Sequence, residues 1–177
     1  MIAKSGAKPK RTIVFIGFAG EEFGLLGAQA WVKAHKDKLP KIANLFNRDG
    51  GPEPPVGISV PQAMYDDFVK ISEPIQKIRP DYPFEVKVRE PRKRPTRMGG
   101  TDASVFAIEG VPTLGFTTED FKGYDFDYGE IWHTERDLYT KNIPEYQEHT
   151  ATVTAIIALG VANLDKQLSR EGLYTEE

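Results

Sequence analysis

Cysteine is absent from this chain of 177 residues. That excludes disulfide frameworks, thiolate zinc knots and cysteine nucleophiles, so any bound metal must rely on oxygen and imidazole donors. Imidazole is itself scarce, with 3 histidines. Long apolar runs are missing too. No stretch approaches the roughly 18 uninterrupted apolar residues of a membrane span, and the basic start Met1–Arg11 lacks the apolar centre of a signal peptide. Compartment therefore stays open. Nor does one sign of charge dominate: the formal net charge is −3, so no whole-molecule field draws the chain to nucleic acid or to an anionic membrane. The helix-borne His-Glu-x-x-His pair, the Gly-x-Ser-x-Gly elbow and the Gly-rich phosphate loop ending in Lys-Ser or Lys-Thr do not occur.

What is present suits one globular domain over residues 1–177, with hydrophobic types at 40% and charged types at 28%. Ile2–Gly6 reads as the last turn of a helix stopped by glycine, so the chain is expected to begin inside a larger fold. Thr12–Phe18 is an apolar, β-branched run of the kind buried on both faces of a parallel sheet, and it predicts a central strand. It breaks at Ala19-Gly20-Glu21-Glu22. A helix is expected from Leu25 to about Asp37, closed by Pro40, and then a strand over Ile42–Asn47 running into Asp49-Gly50-Gly51. Pro52–Pro61 reads as irregular. Met64, Phe68, Ile71, Ile75 and Ile78 recur at threes and fours, which predicts an amphipathic helix over 62–79 with Pro74 as a kink or shortened end. Strands are expected over Phe84–Val88 and Val111–Phe116. A short helix is expected over Asp102–Ile108, a long acidic and aromatic loop over 117–136, and a closing helix over Pro144–Leu168.

Alternating strands and helices imply an α/β domain, here a three-layer α/β/α sandwich with a mixed, mostly parallel sheet. Ligand sites in such sheets gather beyond the carboxyl ends of strands. Glu21-Glu22, Asp49 and the loop holding His133 all follow predicted strands, so acid and imidazole groups converge on one edge. Adjacent glutamates after a strand point in different directions, and one can hold a metal while the other faces a substrate. Read without that context, the pair complements a helix dipole, Asp49 makes an Asp-Gly turn, and His133 packs beside Trp132.

Four segments carry more than their composition: Phe18-Ala19-Gly20-Glu21-Glu22-Phe23-Gly24-Leu25-Leu26-Gly27-Ala28, Asn47-Arg48-Asp49, Gly99-Gly100-Thr101-Asp102, and Trp132-His133-Thr134-Glu135-Arg136-Asp137. In order and spacing they resemble the zinc aminopeptidase family of clan MH, which contains bacterial leucyl aminopeptidases, glutamate carboxypeptidases and glutaminyl cyclases. The likeness runs from about Lys10 to Leu164 and looks most like the carboxypeptidase Q branch. It implies a phosphorylase/hydrolase-like fold and a zinc-dependent exopeptidase acting on peptides or dipeptides. It also implies Glu21 as general base, Glu22 and His133 as ligands of one zinc ion, and Asp49 as a ligand of another. Asp102 is expected near the pocket or as the cap of the helix after Gly99-Gly100.

The family's His-x-Asp motif before the Glu-Glu pair is missing here. Weak or partial zinc occupancy is therefore expected, together with an incomplete N-terminal side of the sheet and self-association through its open edge. His35-Lys36-Asp37 imitates the motif by coincidence, and His149 is expected as a surface or packing residue. Two alternatives keep the fold and differ in activity, namely a one-zinc cyclase acting on N-terminal glutamine and a catalytically inactive binding module. Arg89–Arg97 is expected as a mobile loop beside the site rather than a phosphate patch. Asp120–Tyr128 is expected to wall a substrate pocket or to pack as a rim loop.

Overall fold

The computed structural model describes residues 2–175. Its helices are α1 (Leu26–Ala34), α2 (Tyr65–Ile78), α3 (Ala103–Ile108), α4 (Tyr128–Ile131) and α5 (Pro144–Asn163), and its strands are β1 (Pro55–Val60), β2 (Glu85–Val88) and β3 (Phe116–Thr118). The strands form one sheet in the order β2-β1-β3. β1 runs parallel to β2, pairing Gly57 with Glu85 and Val60 with Val88, and antiparallel to β3, pairing Ile58 with Phe116. The class is the expected α/β with a mixed sheet. No described helix is long and apolar enough to cross a membrane.

The periodicity of α2 locates its core face: Phe68, Ile71 and Ile75 are buried, and the helix continues through Pro74 to Ile78. In α5, Pro144 occupies the first turn, where its missing N–H costs nothing. Tyr146, His149, Val153, Ile157 and Val161 then form one buried stripe. α2 and α5 pack on each other, and with Ile58, Val60, Met64 and Leu114 they make the main core. A second cluster joins α1 and α3 through Leu25, Ala28, Val32, Val105, Phe106 and Val111, with Phe18, Trp31, Ile42 and Leu45 against it.

Three expectations are corrected. Thr12–Phe18 joins no sheet, and Phe15 is 78% exposed. Its composition suits a strand, but a ladder needs a neighbour, and none of the described residues supplies one. Ile42–Asn47 forms no strand either. It lies along residues 112–114 through Leu45 N–H to Pro112 O at 2.9 Å, and the Asn44 side chain replaces the rest of a ladder by donating to Leu114 O at 3.2 Å and accepting from Leu114 N–H at 2.8 Å. The Pro-rich stretch read as irregular instead supplies β1, the middle strand. Pro55 starts that strand, where a missing N–H is tolerated. Smaller shifts accompany these. The strand expected from Val111 begins only at Phe116, the loop expected over 117–136 contains β3 residues and α4, and Pro40 lies within a 3₁₀ segment, Lys36–Lys41, rather than ending α1.

Candidate metal centre

Glu21 and Glu22 sit in the turn that starts α1. The carbonyls of Ala19, Gly20 and Glu21 accept N–H groups from Gly27, Leu26 and Gly24 at 2.9, 3.1 and 2.9 Å, so the chain coils on itself immediately after the apolar run. Gly27 permits this, because a Cβ there would stand 2.7 Å from Ala19 O. The coil leaves Glu22 exposed and Glu21 half-buried.

His133 arrives from the far side of the chain. It follows α4 with a left-handed backbone, φ 56°, so the chain turns sharply after the helix. Its ring lies against Trp132 at 4.6 Å. Thr134 fixes this bend by donating its hydroxyl to Glu130 O at 2.9 Å and accepting Arg136 N–H at 3.2 Å. The result brings Nε2 of His133 within 3.0 Å of Oε1 of Glu22. Beside them the Glu21 carboxyl is pushed up, first by burial, then by the charges of Asp49, Glu22 and Asp102, with His133 pulling the other way. Of the five residues named from the sequence, Glu22 and His133 are in contact, and the charges of Asp49 and Asp102 are felt at Glu21.

Asp49 is exposed and lies next to Arg48, whose guanidinium is tied to the carbonyls of Gly51 and Glu53. Asp102 stands at the cap position of α3, but its side chain makes no capping bond. It is 7% exposed, with Oδ1 buried and without a hydrogen-bond partner among the described residues. Burial and the charge of Asp49 both push its carboxyl up. The cap reading is thus right for the position and wrong for the carboxylate.

His35 Nδ1 donates to Trp31 O at 2.9 Å and the ring stacks on that of Trp31, which leaves the His35–Asp37 imitation on the far end of α1. His149 is wholly buried, a packing residue whose Nε2 donates to Pro55 O at 3.0 Å. Phe121 and Tyr124 pack against Tyr146, and Tyr124 with Phe126 also lines a smaller cleft of about 170 Å³, so the loop both packs on the fold and walls a cleft. Of that loop's aromatics, Tyr128 lines the cleft of about 850 Å³ that opens beside Asp49, together with Ile131, Leu138, Tyr139 and Asn142. Leu138, Tyr139 and Asn142 carry no motif, so the sequence offered no signal for them.

The donors suit zinc chemically: carboxylate oxygen and imidazole nitrogen are its ordinary partners once thiolate is absent. Glu22 and His133 are close enough to share an ion, and the unpartnered Oδ1 of Asp102 is a buried acceptor in the same acidic region. Among the described residues, however, no group of three or more His, Asp or Glu is arranged to hold a metal. The fit is that of an open pair of donors.

A model of peptidase family M28 matches residues 1–157. Mouse carboxypeptidase Q is 23% identical over 175 residues, covering 96% of this chain and 33% of its own length. Among solved structures, a peptidase M28 precursor from Shewanella amazonensis SB2B superimposes with a TM-score of 0.69 at 25% identity, covering 93% of this chain and 34% of that one. BSAP, a zinc aminopeptidase from Bacillus subtilis, gives a TM-score of 0.54 at 17% identity over 89% of this chain and 37% of that one. The chain spans about a third of the length of the curated relatives it matches.

Proposed function

Because this chain belongs to peptidase family M28, we propose that it carries the base-and-ligand side of a zinc-dependent exopeptidase, with removal of amino-terminal residues as the first choice and carboxypeptidase or dipeptidase action next. The supporting observation is the contact of His133 with Glu22 at 3.0 Å, made across most of the chain and next to a Glu21 carboxyl held above its usual range. In this reading Glu22 and His133 hold one zinc ion, Asp49 belongs to a second, and occupancy is weak. Bound there, zinc would supply the positive charge that polarises a scissile carbonyl and acidifies water.

The chain's own residues do the remaining work. Glu21 takes a proton from the attacking water and returns it to the leaving amine nitrogen. A carboxyl shifted upward is better matched to both halves of that exchange than one at its ordinary value. Asp102, buried and acceptor-only when ionised, adds negative charge that favours the protonated state of Glu21. The cleft beside Asp49 receives the peptide, its Tyr128, Ile131 and Leu138 walls excluding water from the substrate's flank.

One observation favours a second reading, a binding module without hydrolysis: the absence among the described residues of a third donor beside Glu22 and His133. Zinc content measured by elemental analysis after dialysis against micromolar zinc separates them. The exopeptidase reading expects bound zinc that is lost in the Glu22→Ala, His133→Ala double variant, and hydrolysis of aminoacyl or dipeptide substrates that is lost in Glu21→Gln. An unaltered fold with no zinc in either protein would leave the binding-module reading in its place.

A further inference from the structure

At the end of α3 opposite Asp102, arginines gather around a tyrosine. The Arg-rich segment is not a free loop: Arg92 N–H bonds Leu173 O at 3.4 Å and Thr175 N–H bonds Arg92 O at 3.0 Å, a parallel bridge between Arg92 and Tyr174. The Tyr174 hydroxyl reaches Ala107 O and Val111 O at 3.4 and 3.3 Å. Arg94 donates Nε to Ile108 O at 2.9 Å, and its Cζ lies 3.4 Å from where a Cβ on Gly110 would stand. Arg170 donates Nη1 to Gly110 O at 3.1 Å. Arg94 and Arg170 thus satisfy carbonyls at and just beyond the negative end of α3.

That structural role uses only part of the donor set. Arg94 Nη1 and Arg170 Nε make no bond among the described residues, and neither do the Arg92 guanidinium and the Lys93 ammonium, both exposed. Glu90 and Glu171 are neighbours in sequence, yet among the described residues no carboxylate forms an ion pair with Arg89, Arg92, Lys93, Arg94 or Arg170. The charges do act on one another. Burial, and then the charge of Arg92, push the Arg89 guanidinium down. Burial raises the Tyr174 phenol while Arg94, Arg89, Arg170 and Arg92 oppose it. Like charges held together with no ion-paired carboxylate among the described residues, in a chain of net charge −3, are a local cost that an anion would relieve.

We propose that Arg92, Lys93, Arg94 and Arg170 form a binding site for a multivalent phosphate, free or carried on a headgroup. The free Arg92 fork, the Lys93 ammonium and the single nitrogens left over on Arg94 and Arg170 come from separate side chains. That suits the several oxygens of a tetrahedral oxyanion better than a planar carboxylate, which one fork satisfies. Tyr174 is half-buried with its hydroxyl turned onto the backbone of α3, so it offers no stacking face of the kind single-stranded nucleic acid uses. This site is independent of the metal centre.

Calorimetric titration of the full chain with sodium tripolyphosphate, at about 50 mM and about 300 mM salt, tests the site. Binding is expected, weaker at the higher salt. The Arg92→Gln, Lys93→Gln variant should lose affinity by about tenfold or more. A charge-matched control, Lys70→Gln with Lys77→Gln on the exposed face of α2, should leave it within about twofold. Vesicles containing phosphatidic acid distinguish the source: uptake reversed by free tripolyphosphate identifies a headgroup, and binding of the free anion alone identifies a soluble phosphate. No binding in either arm overturns the proposal, and so does an equal loss in the control, which would reduce the attraction to overall charge.

Discussion

His149 stacks on the Tyr82 ring at 4.0 Å with Nε2 on Pro55 O and Nδ1 unpartnered. Its imidazole is pushed down, chiefly by burial, with Arg79 and Lys122 repelling the protonated form and Asp81 and the Pro55 carbonyl favouring it. An unfolded histidine takes a proton below about pH 6.5, while the folded one still resists. Stability is therefore fully present above that value and drains as pH falls from there through the depressed folded value. Urea unfolding at pH 8 and pH 5.5 should show this loss in the native chain and a shallower one in His149→Phe, even though that variant starts lower with Pro55 O unpaired. Equal slopes would assign the acid sensitivity to carboxylates elsewhere. Glu21, Glu22, Asp49 and His133 stand out in the sequence because their neighbours form short, ordered motifs, and of these the structure brings Glu22 and His133 into contact. The buried state of His149 was not, since a lone histidine in a helix pattern says nothing about which face it occupies until α2 and α5 are docked.

Helix α5 lies on α2 with almost no clearance at Gly160, where a Cβ would meet Ile71 Cγ2 at 2.3 Å and Cγ1 at 2.9 Å. Alanine would gain up to about 1 kcal/mol of helix propensity, but overpacking a buried contact costs about 1–3 kcal/mol. Gly160→Ala should therefore lower the urea midpoint, and combining it with Ile71→Ala, which removes both Cγ atoms, should cost less than the sum of the two single losses. Additive losses would show that the two sites are not in contact. At this scale the sequence was informative wherever apolar residues recur on one face: α2, α3, α5 and β2 stand close to their expected places. It misled where pairing decides. Thr12–Phe18 has the better strand composition and β1 the worse, yet β1 has neighbours on both sides and Thr12–Phe18 has none among the described residues. Composition describes what a segment suits, and hydrogen-bond partners determine whether it forms.

Across the whole molecule, apolar surface is unevenly distributed. Val14, Phe15, Ile16, Phe23 and Leu26 are exposed near the candidate centre, Phe15 at 78% and Phe23 at 83%. Scattered apolar side chains are ordinary on a protein surface, but a run of this kind invites association. Val14→Ser with Phe15→Ser should reduce binding of a hydrophobic dye such as ANS and improve solubility, while changing unfolding free energy by no more than about 0.5 kcal/mol. A large destabilisation would mean that these side chains are covered in solution.

The parallel crossover from β1 through α2 to β2 closes within residues 55–88, whereas β3 and α5 join from residues 116–118 and 144–163. Loop-closure entropy favours the nearer contacts first. A chain that collapses in this order forms two of its three described strands and one of its major helices before any of Glu21, Glu22, Asp49, Asp102 or His133 is held in place, since all of them lie outside that unit. Changes at the centre should then act mainly on the unfolding rate and leave the folding rate nearly untouched. This would let the centre's chemistry vary while the route to the fold stays the same.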